Sequence, residues 1–282
     1  MARSQAPAPA GPLLVLRAQR GWRPLGLREL WQARELIYFL AWRDLKVRYK
    51  QTVLGATWAI LQPVAGMVVF SVIFGRLVGV PSDDVPYPVF SLAALVPWTF
   101  FSNGVTQAAN SLVGSRSLIT RVYFPRLAVP LASVLAGLVD LAVAFVVLVA
   151  TLAAFRLIPD ARLLALPLFV LLAIVTALGA GLWLAALNVR YRDVRYAVPF
   201  LLQFWLFVTP VVYSTTLLPP AWRWVYALNP MTGVVEGFRY ALLGTGALSA
   251  AVLAVSVAAA LIVLVTGVLY FRRVESSFAD VI

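Results

Sequence analysis

The chain has 282 residues, of which 62% are hydrophobic and only 12% charged, and its mean hydropathy is +0.90. A soluble domain carries roughly 25% charged residues, so this composition belongs to an integral membrane protein. The formal net charge is +12 and Cys and His are absent, which excludes disulfides, thiol chemistry, His-based acid–base catalysis and His/Cys metal sites.

Residues 1–34 begin as an Ala/Pro-rich stretch and continue rich in arginine. The apolar patch Leu13–Leu16 is shorter than the roughly 7–15-residue core of a signal peptide. This segment therefore reads as an uncleaved, flexible, basic tail, with the membrane domain running from 35 to 282. Next comes Trp42–Pro63, WRDLKVRYKQTVLGATWAILQP. Arg43, Lys46, Arg48 and Lys50 alternate with Leu45, Val47, Tyr49 and Val53. As a helix this segment would lie along the membrane surface, with apolar residues in lipid and cations at phosphates. The chain would then turn into the bilayer near Gly55–Trp58. Two readings are open: a basic juxtamembrane anchor, or a gate controlling entry to a membrane path.

Six segments are predicted to span: Trp58–Val80, Tyr87–Asn110, Leu127–Phe155, Leu163–Val189, Tyr196–Leu218 and Leu248–Phe271. Each reaches the ~20 residues needed to cross ~30 Å of hydrocarbon. The third and fourth are long enough to tilt or project. Strand-type alternation is absent, which argues against a β-barrel. The fold class is thus an all-α membrane protein.

Between the second and third spans lies NSLVGSRSLITRVYFP, Asn110–Pro125. Ser111 or Ser115 could cap a short helix there, ended by Pro125. It would carry Leu118, Ile119, Val122 and Phe124 with Arg116 and Arg121. Such a helix, if exposed, needs a partner surface; the alternative is a helix lying on lipid. Asp140 falls near the middle of the third span, where a charge is costly and faces the bundle interior, a partner or water. It is read as a hydrogen-bond partner of a neighbouring helix, or as a proton-coupling group. After the fourth span, NVRYRDVRY (Asn188–Tyr196) suits phosphate or headgroup contact, though topology alone also explains its arginines. Pro219–Gly246 is aromatic, with Trp222, Trp224, Tyr226, Phe238 and Tyr240, and is broken by Asn229–Pro230 and glycines. It reads as two short re-entrant helices, which polar backbone tolerates only beside protein or water, or as an aromatic interfacial loop. Glu236 within it poses the same question as Asp140.

Arginines cluster before the first span and after the second, fourth and sixth. The positive-inside rule places those regions and both termini in the cytoplasm. The positive charge then serves topology and anionic lipid; nucleic-acid binding is a poor reading without a soluble basic domain. There is no G-x-x-x-x-G-K-[ST] phosphate loop, and the only lysines are Lys46 and Lys50. No paired carboxylates or Ser-centred constellation suggest an enzyme. The halves show no obvious internal repeat, which weakens an inverted-repeat carrier reading.

Four pieces in order carry a resemblance: RDLKVRYKQTVLGATWAILQP, LVPWTFFSNGVTQAANSLVGSRSLITRVYFPRLAVPL, LNVRYRDVRYAVPFLLQFWLFVTPVVY and LNPMTGVVEGFRYALLG. Together they resemble the type-2 ABC permeases that export O-antigen, capsule and teichoic acid, from about Leu36 to the C-terminus. The resemblance implies a homodimer working with two cytoplasmic ATPase subunits, which would bind ATP and Mg, and a lipid-linked polysaccharide as substrate. Arg43–Thr52 then resembles an interfacial gate helix. Ser111–Phe124 resembles the helix that couples to the ATPase. Trp222–Leu243 resembles a pair of outer gate helices, with Trp222, Trp224, Asn229, Glu236 and Phe238 as candidates. Trp58, Trp98, Phe100, Phe101, Trp205, Phe207 and Tyr213 are candidate channel-lining aromatics, with ordinary packing or a lipid-belt role as the alternative. Two other classes stay open: a type-2 permease for a small drug or lipid, and an ATP-independent carrier using Asp140.

Overall fold

The computed structural model describes residues 27–50, 57–245 and 249–278, and among them every regular element is helical. Helix α1 (Leu27–Gln32) leads into α2 (Arg34–Lys50). The expected turn near Gly55 falls in 51–56, outside the described residues, as does most of the basic tail. Helix α3 (Thr57–Phe70) continues in wider π-type turns over Ser71–Val78. It stops at Gly79, whose φ of 71° suits a residue without Cβ. Helix α4 (Tyr87–Gly114) follows, then the short α5 (Arg116–Arg121) and α6 (Ala128–Ala154). A tight turn over Ala161–Ala165 is opened by Asp160, whose carboxylate accepts the Arg162 backbone N–H at 2.8 Å. It enters α7 (Leu166–Arg190), followed by α8 (Val194–Val208). Two short helices, α9 (Pro220–Ala227) and α10 (Pro230–Leu243), precede α11 (Ala250–Val274).

Five of these helical segments are long and apolar enough to cross a membrane. The predicted fifth span, Tyr196–Leu218, is shorter than expected. Helix α8 has 15 residues, roughly 22 Å at 1.5 Å per residue, against ~30 Å of hydrocarbon. The cause is Pro210. It has no N–H to donate and forces the preceding residue out of helical geometry. Thr209 is accordingly extended, with ψ 139°.

Helix α4 is the hub. It packs against α3, α6, α7, α8 and α10, and most of its side chains are buried. Close helix approach is written in glycines. A Cβ on Gly179 of α7 would lie 2.8 Å from the Leu264 backbone nitrogen of α11. One on Gly267 would lie 2.7 Å from the Gly179 carbonyl. A second apolar nucleus gathers at the end of the bundle that carries Arg116, Arg121, Arg190 and Arg272. There Ile37 and Leu40 of α2 join Ile119, Phe124, Leu127, Leu182, Phe271 and Phe278. Helices α3 and α8 are nearly bare. Only Pro63 of α3, and only Val198 and Leu202 of α8, are buried.

Candidate functional site

Helix α2 runs alongside the first half of α6, and its polar residues do the fastening. The Ser133 hydroxyl donates to the Asp44 carboxylate at 3.1 Å. One turn on, Arg48 forms an ion pair with Asp140, and the Tyr49 hydroxyl donates to the other Asp140 oxygen. Burial, followed by that hydrogen bond, pushes the Tyr49 hydroxyl up to about 12. Asp140 therefore has its neighbouring-helix partner, and a charged one. This also corrects the view of Arg48 as a cation open to phosphate. Arg43 is likewise engaged, 2.8 Å from Asp44 and donating to the Ser115 hydroxyl at 3.3 Å. Lys46 and Lys50 are exposed, with no ion pair among the described residues.

Beside this junction is a cavity of about 250 Å³. Its walls are Arg48 and Tyr49 of α2, Trp58 and Gln62 of α3, Thr99, Phe100, Asn103 and Gln107 of α4, and Gly137 and Asp140 of α6.

The segment between α4 and α6 departs from the expected helix Ser111–Phe124. Ser111 lies in the last turn of α4, its hydroxyl donating to the Ala108 carbonyl at 2.7 Å, so it caps nothing. Ser115 precedes α5 without a side-chain cap, and the helix ends at Arg121, before Val122 rather than at Pro125. Ile119 and Phe124 turn inward to the second nucleus, with Leu118 packed against it. The outward face is Arg116, Ser117, Thr120, Arg121, Val122 and Tyr123, the last 83% exposed.

The aromatic candidates divide. Trp98 and Phe101 are buried in the chain's own core and face no open space; Phe101 meets Trp205 edge-on at 5.1 Å. Phe100 is also buried but edges the cavity. Trp58 and Phe207 are exposed. Tyr213 is half-buried and hydrogen-bonded to the Tyr226 hydroxyl at 3.0 Å.

At the opposite end, the two short helices are held to the unwound segment after α8. Asn229 opens α10 by accepting the Met231 N–H at 3.1 Å. It also accepts from the Trp205 indole at 3.0 Å and donates to Thr209 at 2.9 Å. Arg239, wholly buried, donates to the carbonyls of Pro210 (2.7 Å), Val211 (2.8 Å) and Tyr213 (3.2 Å). It pairs with Glu236 at 3.2 Å and lies 3.6 Å over the Phe90 ring. The Tyr87 hydroxyl supplies the Val212 carbonyl at 2.6 Å. These donors satisfy the backbone that Pro210 released from helix, as burial requires. Asp83 clasps the same segment through Ser214 (2.6 Å) and Thr216 (2.9 Å). Trp222 and Trp224 are exposed, whereas Phe238 is fully buried. Arg239 and Pro210 are absent from the candidates drawn from the sequence; an arginine three residues after Glu236 on a short helix is the signal that points to the first.

The sequence model of the ABC-2 type transporter family matches residues 35–243, from the start of α2 to the end of α10. The chain belongs to the ABC-2 type transporter family. This ABC-2 chain is 32% identical over 216 residues to an O-antigen export system permease protein, RfbA, of Myxococcus xanthus, covering 76% of this chain and 82% of that one. It is 24% identical over 249 residues to RfbA of Klebsiella pneumoniae, covering 88% and 95%. To the polysialic acid transport protein KpsM of Escherichia coli it is 26% identical over 203 residues, covering 71% and 78%.

Proposed function

We propose that this chain is the membrane subunit of an ATP-driven exporter moving a lipid-linked, O-antigen-like polysaccharide from the cytoplasmic to the outer side of a bacterial inner membrane. The observation that carries this reading is the similarity to the Myxococcus xanthus O-antigen permease across most of both chains. The reading has both termini in the cytoplasm and two copies of the chain meeting along the bare faces of α3 and α8. Two separate ATPase subunits bind ATP and Mg and dock at Arg116–Tyr123.

The packing supplies a route for the motion. Arg43 of α2 donates to Ser115 at the start of α5, and Ile37, Leu40, Ile119 and Phe124 share one apolar nucleus. A push on α5 therefore reaches α2, which is fastened to α6 at Asp140. The exposed Lys46 and Lys50 attract the phosphate of the lipid carrier to the mouth of the cavity.

Deletion of the gene in its native host tests the proposal. Loss of surface polymer, with lipid-linked glycan accumulating inside, is expected. Unchanged surface polymer together with lost dye or lipid export would move the assignment to a small-substrate permease.

A further inference from the structure

Between Leu92 and Leu112, the residues of α4 that are not buried are all uncharged and polar: Thr99, Ser102, Asn103, Thr106, Gln107 and Asn110, with Ser111 beyond them. They recur at spacings of three and four, so they form one face, about 16 Å long from Thr99 to Asn110 at 1.5 Å per residue. The open positions of α6, α7 and α11 are mostly apolar, among them Val139 and Val146 on α6, Leu168 and Leu171 on α7, and Leu261 and Ile262 on α11. Amides facing hydrocarbon without partners are strongly unfavourable. This face of α4 therefore does not meet lipid.

Its hydrogen-bonding capacity is only partly used within the chain. Ser102 and Thr106 bond back to the carbonyls of Thr99 (3.2 Å) and Ser102 (2.8 Å). Asn110 donates to Thr106 at 2.9 Å and accepts from Asn188 at 3.2 Å. The Asn103 and Gln107 amides have no hydrogen bond among the described residues. Both line the cavity, as do Gln62 and Trp58. Each amide offers donors and an acceptor together, matching adjacent sugar hydroxyls, and an exposed indole suits the C–H face of a sugar ring. The only charges among the described wall residues, Arg48 and Asp140, neutralise each other, so this wall carries no net charge.

We infer that this face of α4, with the adjoining cavity, is a hydrated binding surface for uncharged sugar residues of the exported chain. The inference rests on the polysaccharide reading above. It assigns the inner half of the path to Gln62, Thr99, Asn103 and Gln107, and not to buried aromatics.

The absence of native cysteine allows a direct test in inside-out vesicles holding the full complex with its ATPase. Cysteine replaces Asn103 or Gln107, one at a time. Val146→Cys and Ile262→Cys serve as lipid-facing references, at 68% and 62% exposure. A charged methanethiosulfonate reacts with the hydrated thiolate, so Asn103→Cys and Gln107→Cys should label at least about tenfold faster than the references. Lipid-linked glycan extracted from a strain lacking the exporter should slow that labelling. No labelling, as when a second copy of the chain covers the face, overturns the inference. So does labelling that the glycan leaves unchanged. Asn103→Leu with Gln107→Leu should lower export several-fold while the ATPase still assembles; wild-type export by that variant contradicts the inference alone. Failure of the polysaccharide reading would show separately, as unchanged surface polymer on gene deletion.

Discussion

Two buried or half-buried ion pairs organise the chain at the scale of single residues. Arg239 holds three backbone carbonyls and Glu236 in a site with almost no solvent access. Removing one partner of a buried pair costs about 3–5 kcal/mol because the other is left uncompensated. Arg239→Ala should therefore lower the melting temperature of the purified protein sharply and collapse its yield. Arg223→Ala, at a partly exposed position on α9, should do neither. A wild-type melting curve for Arg239→Ala would contradict the assigned role. Asp140 and Arg48 make a second pair, across 92 residues of sequence. Arg48→Gln and Asp140→Asn should each loosen α2 and reduce export. The double variant should be little worse than either single one, because interacting residues are not additive. Additive losses would separate the two residues. The Arg48–Asp140 pair is not legible in the sequence, where each charge is visible but its distant partner is not; the Arg239–Glu236 pair shows there only as a spacing of three on a short helix.

Among the elements, legibility follows hydropathy. The observed bounds of α6, α7 and α11 lie within a few residues of the predicted spans because solvation of a continuous apolar run decides them. The end of α8 does not follow that rule. The apolar run continues past Pro210, while the backbone leaves the helix there and takes its hydrogen bonds from Arg239 and Tyr87. Helix α5 departs from expectation for a related reason: Ile119 and Phe124 look like a docking face in sequence but fill the second nucleus. The exposed Arg116, Arg121 and Tyr123 are then the contacts to test. Arg116→Glu with Arg121→Glu should abolish co-purification of the ATPase while leaving the permease folded. Retained co-purification would remove α5 from the coupling role. On α2, Lys46→Glu with Lys50→Glu should reduce export without loss of assembly. This pair is a cleaner test of the gate than one including Arg48, since Arg48 is bound to Asp140.

For the whole molecule, the surface pattern ties these parts together. Helix α4 is the buried hub, yet its open face carries no apolar residue between Leu92 and Leu112. Helices α3 and α8 flank it and expose aromatic and aliphatic side chains. A single subunit thus leaves a polar face on α4, bordered at the cavity by α2, α3 and α6, together with two exposed apolar helices, an arrangement suited to a path completed by a second copy. The central claim is that ATP hydrolysis by a partner is coupled to a lipid-linked glycan in this chain. It is tested most directly by the ATPase activity of the purified permease–ATPase complex, with and without that glycan. The account predicts a stable complex of two permeases and two ATPases whose hydrolysis rate changes when glycan is added. A stable complex indifferent to glycan, or the absence of any complex, would contradict it.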